Sequence, residues 1–132
     1  MDEFMSVGSR NVWFDSRCAV SKPRFRLFCF PYCGGSTSIY FNWHRWLQKE
    51  VEVCAIQLPG RGLRYNDEQL YINMDQLVQD LVVQIRPLMD VPFAFFGHSM
   101  GGHIAFDLCH KLKAENDAAP KYLFLSGSSP PA

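Results

Sequence analysis

The sequence predicts an α/β domain in which a mostly parallel sheet has helices on both faces. Two observations lead to this fold class. Short apolar segments typical of buried strands alternate along the chain with longer segments whose apolar residues recur at helical spacing. Glycine-rich turns at residues 34–35 and 97–102 follow two of the predicted strands, and the carboxyl ends of parallel strands form the edge where such sheets bind ligands. The 132 residues fit one domain.

The predicted strands are short and rich in aromatic and β-branched residues. Four segments share this pattern, at residues 24–30, 51–58, 93–96 and 122–125. The third is wholly apolar, which is typical of a strand buried on both faces. Upstream, residues 1–22 form a weakly patterned N-terminal segment with one strand-like piece at 12–14, which we expect at an edge of the sheet. We therefore place the α/β domain at residues 23–132.

The predicted helices lie between these strands. An aromatic stretch at residues 40–47 has Trp43, Trp46 and Leu47 at helical spacing. A clearer helix begins after Asn73, and its apolar face is formed by Leu77, Val78, Leu81, Val82, Ile85 and Leu88. A third helix begins near Ser99, and its apolar face is formed by Ile104, Ala105, Leu108, Cys109 and Leu112.

Composition excludes several classes of function. Thirteen basic and thirteen acidic side chains cancel, so no charge excess indicates binding to nucleic acid or to a membrane surface. No apolar run approaches the roughly 18 residues of a membrane span, and residues 1–22 lack the pattern of a signal peptide. The five cysteines have no zinc-ligand spacing. We expect a cytoplasmic protein with reduced thiols, and neither a metal nor a cofactor.

The sequence Gly97-His98-Ser99-Met100-Gly101 fits the pattern G-x-S-x-G between a predicted buried strand and a predicted helix. This is the context of the nucleophile elbow of α/β-hydrolases, a turn so tight that glycine is needed two residues before and two residues after the serine. The turn exposes the serine hydroxyl above the N-terminus of a helix. The alternative is a phosphate-binding turn, but the G-x-G-x-x-G and Walker A patterns are absent. We therefore predict that Ser99 is a nucleophile.

An elbow serine also requires an oxyanion hole, which binds the negative charge that develops on the attacked carbonyl. One donor is expected to be the backbone N–H of Met100, the residue after the nucleophile. The second is expected from the loop after an earlier strand, which here contains Tyr32, Cys33 and two glycines. The alternative is an ordinary strand-to-helix turn, since paired glycines are common in turns.

No histidine of the chain is a convincing general base. His98 lies beside the serine, where it is expected to pack or hydrogen-bond locally, and His103 and His110 follow on the same helix. His44 belongs to the aromatic stretch. In the α/β-hydrolase order the acid and then the histidine follow the serine, yet no histidine follows His110. The chain thus contains a predicted nucleophile without an assigned acid or base.

Several separated segments together resemble type II thioesterases, which are α/β-hydrolases that serve polyketide, nonribosomal-peptide and fatty-acid synthases. The resemblance runs from about Trp13 to the end of the chain. The matching segments are FCFPYCGGS at residues 28–36, Tyr40 and Trp43, LPGRG at residues 58–62 with Arg64, and FGHSMGG at residues 96–102.

The resemblance implies that Ser99 hydrolyses acyl thioesters carried on the phosphopantetheine arm of an acyl or peptidyl carrier protein. Met100 and the backbone at Tyr32 and Cys33 would then bind the oxyanion. The family usually has histidine at the position of Tyr32 and alanine at that of Cys33, changes that leave the backbone donors intact. It tends to have glutamate at the position of Asp107. Its lid helices, catalytic Asp and catalytic His follow the strand at 122–125, so the resemblance covers only the N-terminal half of the fold.

Two other functions stay open from the sequence. One is a general serine esterase, because the elbow does not encode the leaving group. The other is a non-catalytic remnant that binds carrier protein or acyl chains, or a fragment that needs a separate C-terminal chain. A sheet that stops after residues 122–125 would expose an apolar strand edge, so we expect self-association there and negligible activity of the chain alone.

Overall fold

The structure is a computed structural model, and it describes residues 13–15, 19–31, 37–58 and 74–127. Their five strands form one sheet in the order β1-β3-β2-β4-β5. The strands are β1 (Phe14–Asp15), β2 (Phe25–Phe30), β3 (Val51–Ile56), β4 (Phe93–His98) and β5 (Leu123–Ser126). Every pairing is parallel except that of β1 with β3. The predicted fold class, a mostly parallel sheet with helices, is confirmed.

The two α-helices pack against each other and against one face of the sheet. They are α1 (Met74–Ile85), which continues into a 3-10 helix at Arg86–Leu88, and α2 (Met100–Ala114). Their apolar residues join one core cluster with the side chains that β2, β3 and β4 direct to this face. Phe28 lies at its centre, with its ring edge-on to Phe93 and Phe95 at centroid distances of 5.8 and 5.9 Å. The helical periodicity of both segments therefore correctly identified the buried residues.

The opposite face carries two short 3-10 helices, Thr37–Tyr40 and Trp43–Trp46, where the sequence predicted one longer helix. Tyr40 is buried, its hydroxyl donates to the carbonyl oxygen of Phe30 at 2.6 Å, and its ring meets Trp43 and Phe96. Trp46 is 85% exposed. The prediction failed because a spacing of three residues suits a 3-10 helix as well as an α-helix, and aromatic residues favour neither strongly.

A buried ion pair joins the amino-terminal ends of β2 and β3. Nε of Arg26 donates to Glu52 at 2.7 Å, and Nη1 of the same guanidinium donates to the Leu88 carbonyl at 2.8 Å and to the carboxylate of Asp90. The backbone N–H of Val20 donates to the second oxygen of Glu52 at 2.8 Å. Burial lowers the pKa of Arg26, but its bonds to Glu52 and Asp90 outweigh burial and raise the pKa above its usual value. The cluster ties the chain before β2 to the sheet.

The described cysteines are free thiols inside the fold. Cys29 and Cys54 are buried and Cys109 is half-buried, and burial raises the pKa of each thiol. Cys18 and Cys33 lie outside the described residues. No helix in the described part of the chain is long and apolar enough to cross a membrane.

Candidate active site

Ser99 occupies a sharp turn between β4, which ends at His98, and α2, which begins at Met100. Its backbone has φ of +57° and ψ of −120°, a left-handed conformation that residues with a side chain rarely adopt. The carbonyl oxygen of Ser99 accepts the N–H of Gly102 at 2.9 Å, so the turn leads directly into the helix. The predicted nucleophile is therefore held in a strained conformation, and such strain concentrates at functional sites.

The two glycines of the motif are required by close backbone contacts. A Cβ on Gly97 would lie 2.2 Å from the carbonyl oxygen of Gly101, within the turn itself. A Cβ on Gly101 would lie 2.2 Å from the carbonyl oxygen of Phe30 and 2.7 Å from that of Pro31. The neighbouring atoms are backbone, which cannot rotate away as a side chain can. The spacing G-x-S-x-G thus follows from sterics on both sides of Ser99.

The same contacts bring the end of β2 against the start of α2. Pro31 is buried there, and the segment predicted to supply oxyanion donors begins at the next residue. Tyr32 and Cys33 themselves lie outside the described residues. Met100 is the first residue of α2, and the first N–H groups of a helix have no partner within the helix and carry its positive dipole. An anion beside Ser99 would be stabilised by that dipole.

His98 faces the end of β5. Its Nδ1 lies 3.2 Å from Oγ of Ser126 in a hydrogen bond whose direction follows the tautomer of the ring. The backbone N–H of Ser99 donates to the carbonyl oxygen of Ser126 at 2.8 Å. Gly127 has φ of +63°, and a Cβ there would lie 2.5 Å from Cε1 of His98. His98 thus contacts β5, as its place in the motif predicts.

The remaining histidines of the sequence lie on the surface. His103 and His110 are exposed on α2, and His44 is exposed on the second 3-10 helix with Nδ1 at 3.0 Å from the Phe41 carbonyl. Among the described residues, no group of three or more His, Cys, Asp or Glu side chains could hold a metal ion.

The acids that follow Ser99 lie on or beyond α2. Asp107 is exposed on the helix, while Glu115 and Asp117 accept hydrogen bonds from Arg86 at 2.9 and 2.5 Å. At about 1.5 Å per residue, α2 places Glu115 and Asp117 roughly 20 Å from the elbow. These two acids therefore stabilise the junction of α1 and α2 and are remote from the candidate nucleophile.

Sequence reasoning missed Ser126 and Gly127. Both follow a predicted strand parallel to β4, so they reach the same edge of the sheet as the elbow. That position, together with a polar residue followed by glycine, was a usable signal. It was not used because the register of β4 and β5, which sets His98 opposite Ser126, cannot be derived from either strand alone.

Comparison with known proteins places thioesterases among the relatives of this chain. The family model described as "Thioesterase domain" matches residues 25–132. The chain is 42% identical over 125 residues to gramicidin S biosynthesis protein GrsT of Aneurinibacillus migulanus, an alignment that covers 95% of this chain and 48% of that protein. It is 40% identical over 116 residues to the medium-chain S-acyl fatty acid synthase thioesterase of Homo sapiens, which covers 86% of this chain and 43% of the relative.

Solved structures give the same result. The type II thioesterase BorB from the borrelidin biosynthetic cluster matches with a TM-score of 0.76 at 30% identity, over 89% of this chain and 50% of that chain. ClbQ from the colibactin NRPS/PKS pathway matches with a TM-score of 0.75 at 35% identity, over 82% and 45% of the two chains. The chain spans about half the length of these relatives.

Proposed function

This chain belongs to the thioesterase family and has the mostly parallel sheet of its α/β-hydrolase fold, and we propose that Ser99 is the nucleophile of an acyl-thioester hydrolase. The observation that carries the proposal is the left-handed backbone of Ser99 in a turn that both flanking glycines make possible. Residues with a side chain rarely adopt that conformation, whereas an elbow requires it to present the serine hydroxyl. We propose residues 23–132 as the hydrolase part of the chain, and the match of the family model to residues 25–132 supports this.

In the proposed reaction Oγ of Ser99 attacks the carbonyl carbon of the thioester and loses its proton to a base. The carbonyl oxygen becomes an oxyanion, which the backbone N–H groups of Met100, Tyr32 and Cys33 stabilise with the dipole of α2. Collapse expels the thiol, which takes up a proton, and leaves an acyl ester on Ser99. Water then attacks this ester and releases the carboxylic acid. We assign neither the acid nor the base to any residue between 1 and 132.

The proposed substrate is an acyl or peptidyl group on the phosphopantetheine arm of a carrier protein. Support comes from the names of the relatives, which belong to gramicidin S biosynthesis, fatty acid synthase and an NRPS/PKS pathway. Removal of stalled or incorrect acyl groups from such carriers is the role we propose. A general serine esterase is the second candidate, since the elbow geometry does not depend on the leaving group.

A further candidate is a chain that acts only with a separate C-terminal chain, or one that binds without catalysis. Among the described residues β5 is an edge strand of the sheet, and this position supports a contact of this kind. Tyr122 and Phe124 stack at 5.8 Å on one face of the strand and are 61% and 49% exposed. Apolar area of this kind beside an edge strand favours pairing with another chain. We propose that further polypeptide covers this edge, with self-association expected when that polypeptide is absent.

The test uses an acyl-carrier thioester and measures release of the free acid. The chain alone is expected to give background rates. A mixture with the separately produced C-terminal half of the gramicidin S relative is expected to hydrolyse the thioester, with turnover lost in Ser99→Ala. Ser21→Ala, which removes an exposed hydroxyl remote from the elbow, is the matched control and should keep full turnover.

Each alternative gives a different result. Hydrolysis by the chain alone that disappears in Ser99→Ala would show that a base exists within residues 1–132. A mixture that stays inactive while the chain still binds the carrier protein would favour the non-catalytic function. Equal turnover of an oxygen ester and of a thioester with the same acyl group would favour the general esterase.

A further inference from the structure

We propose that the end of β5 positions the nucleophile, with His98 and Ser126 as positioning residues that act on Ser99. The inference deepens the proposed function, because it assigns to His98 a role at the same site other than that of general base. Ser126 and Gly127 have no other part in the reaction described above.

One residue of β5 holds two consecutive residues of the elbow. The carbonyl oxygen of Ser126 accepts the backbone N–H of Ser99 at 2.8 Å, and Oγ of Ser126 bonds to Nδ1 of His98 at 3.2 Å. The parallel register sets His98 directly opposite Ser126. The backbone bond therefore fixes Ser99, while the side-chain bond fixes the residue before it.

Gly127 confines the imidazole from another direction. A Cβ at this position would lie 2.5 Å from Cε1 and 2.9 Å from Nδ1 of His98. The ring therefore occupies the space that a side chain would fill. Since φ of Gly127 is +63°, the residue is also in a conformation that glycine adopts without strain. The ring of His98 is held between the hydroxyl of Ser126 and the backbone of Gly127.

These contacts matter because the conformation of Ser99 is strained. A backbone at positive φ persists only where its surroundings oppose relaxation. Weakening the bonds to Ser126 lets the turn at Ser99 open more often. A nucleophile displaced by about 1 Å can lose roughly a hundredfold in rate, so the contacts of His98 are expected to affect chemistry without proton transfer.

The test measures amide hydrogen exchange by NMR in the full chain, which requires no enzymatic activity. Ser126→Ala and His98→Phe each remove the side-chain bond while leaving the backbone bond of Ser99. We expect the Ser99 amide to exchange about five- to tenfold faster in both variants, the effect of one hydrogen bond. The internal control is the amide of Phe95, which donates to the Tyr122 carbonyl at 3.0 Å further along the same strand pair.

The conservative variant Ser126→Thr keeps the hydroxyl and should restore slow exchange at Ser99. Unchanged exchange at Ser99 in Ser126→Ala and His98→Phe would overturn the proposal. Equal acceleration at Ser99 and Phe95 would also overturn it, since that result indicates general weakening of the β4–β5 pair. Absence of thioester hydrolysis in the mixture described above would count against the proposed function and would leave the exchange result unaffected.

Discussion

Replacement of Ser99 by glycine should stabilise the chain, although it removes the candidate nucleophile. The backbone at this position has φ of +57° and ψ of −120°. A side chain in this region is strained because its Cβ crowds the backbone, whereas glycine has no Cβ and adopts the region freely. The informative comparison is between Ser99→Gly and Ser99→Ala, because both variants lack the hydroxyl and they differ only in the Cβ.

The magnitude follows from two opposing contributions. Relief of backbone strain at a non-glycine residue in such a conformation is worth roughly 1–3 kcal/mol. Glycine also makes the unfolded chain more flexible, which offsets about 0.5–1 kcal/mol of that gain. We therefore expect Ser99→Gly to exceed Ser99→Ala in free energy of unfolding by about 1 kcal/mol, or about 4 °C in Tm for a chain of this length.

The assay is urea denaturation followed by circular dichroism, at protein concentrations where light scattering shows no self-association. A second pair of variants, Gln79→Gly and Gln79→Ala, provides the control at an exposed position inside α1. In a helix interior glycine is less stable than alanine by about 1 kcal/mol. The difference in free energy of unfolding between the glycine and the alanine variant should therefore have opposite signs at positions 99 and 79.

A glycine variant less stable than the alanine variant at both positions would refute backbone strain at Ser99. That result would mean that position 99 has an ordinary backbone conformation in solution. The elbow interpretation would then lose the observation on which the proposed function depends. If glycine is more stable than alanine at position 99 but less stable at position 79, the chain maintains backbone strain at its candidate nucleophile.

Three further outcomes follow from the structure. Glu52→Gln should lower the free energy of unfolding by about 3 kcal/mol in urea titration, because Arg26 stays buried with a weaker partner. Replacement of Arg26 and Glu52 together by apolar residues should recover most of this loss. Gly101→Ala should cost about 3 kcal/mol in the same assay, because its Cβ would meet the carbonyl oxygen of Phe30 at 2.2 Å. Burial raises the pKa of Cys109 to about 11, so at pH 8 iodoacetamide should modify this thiol on the order of a hundredfold more slowly than a peptide thiol, as measured by mass spectrometry.

The fold could be predicted from local patterns wherever a segment has one dominant period. The apolar residues of α1 and α2 recur at helical spacing, and those named from the sequence are nearly all buried in the structure. The aromatic stretch at residues 40–47 was interpreted wrongly because its spacing fits two kinds of helix. The pairing of Arg26 with Glu52 depends on the register of β2 and β3, which neither segment determines alone.

The same distinction between local and long-range contacts applies to the candidate site. The turn at Ser99 could be found from five consecutive residues, because the steric demand on Gly97 and Gly101 leaves a signature in the sequence. The partner of Gly101 could not be found this way, since Phe30 lies seventy-one positions earlier and approaches only through the parallel sheet. Ser126 was missed for the same reason. Contacts within one turn can be predicted from neighbouring residues in the sequence, whereas contacts between strands depend on the topology of the sheet.

The contacts that shape the elbow come from several elements of this chain. The end of β2 lies against Gly101, and α2 begins directly after the turn. The end of β5 forms hydrogen bonds with His98 and with the N–H of Ser99. The candidate nucleophile is therefore set in position by residues to which we assign neither the acid nor the base role. The geometry of Ser99 can accordingly be tested by stability and hydrogen exchange in this chain, while proton transfer is tested by adding the C-terminal half of a relative. Replacement of Ser126 should therefore change stability and hydrogen exchange in the absence of any substrate.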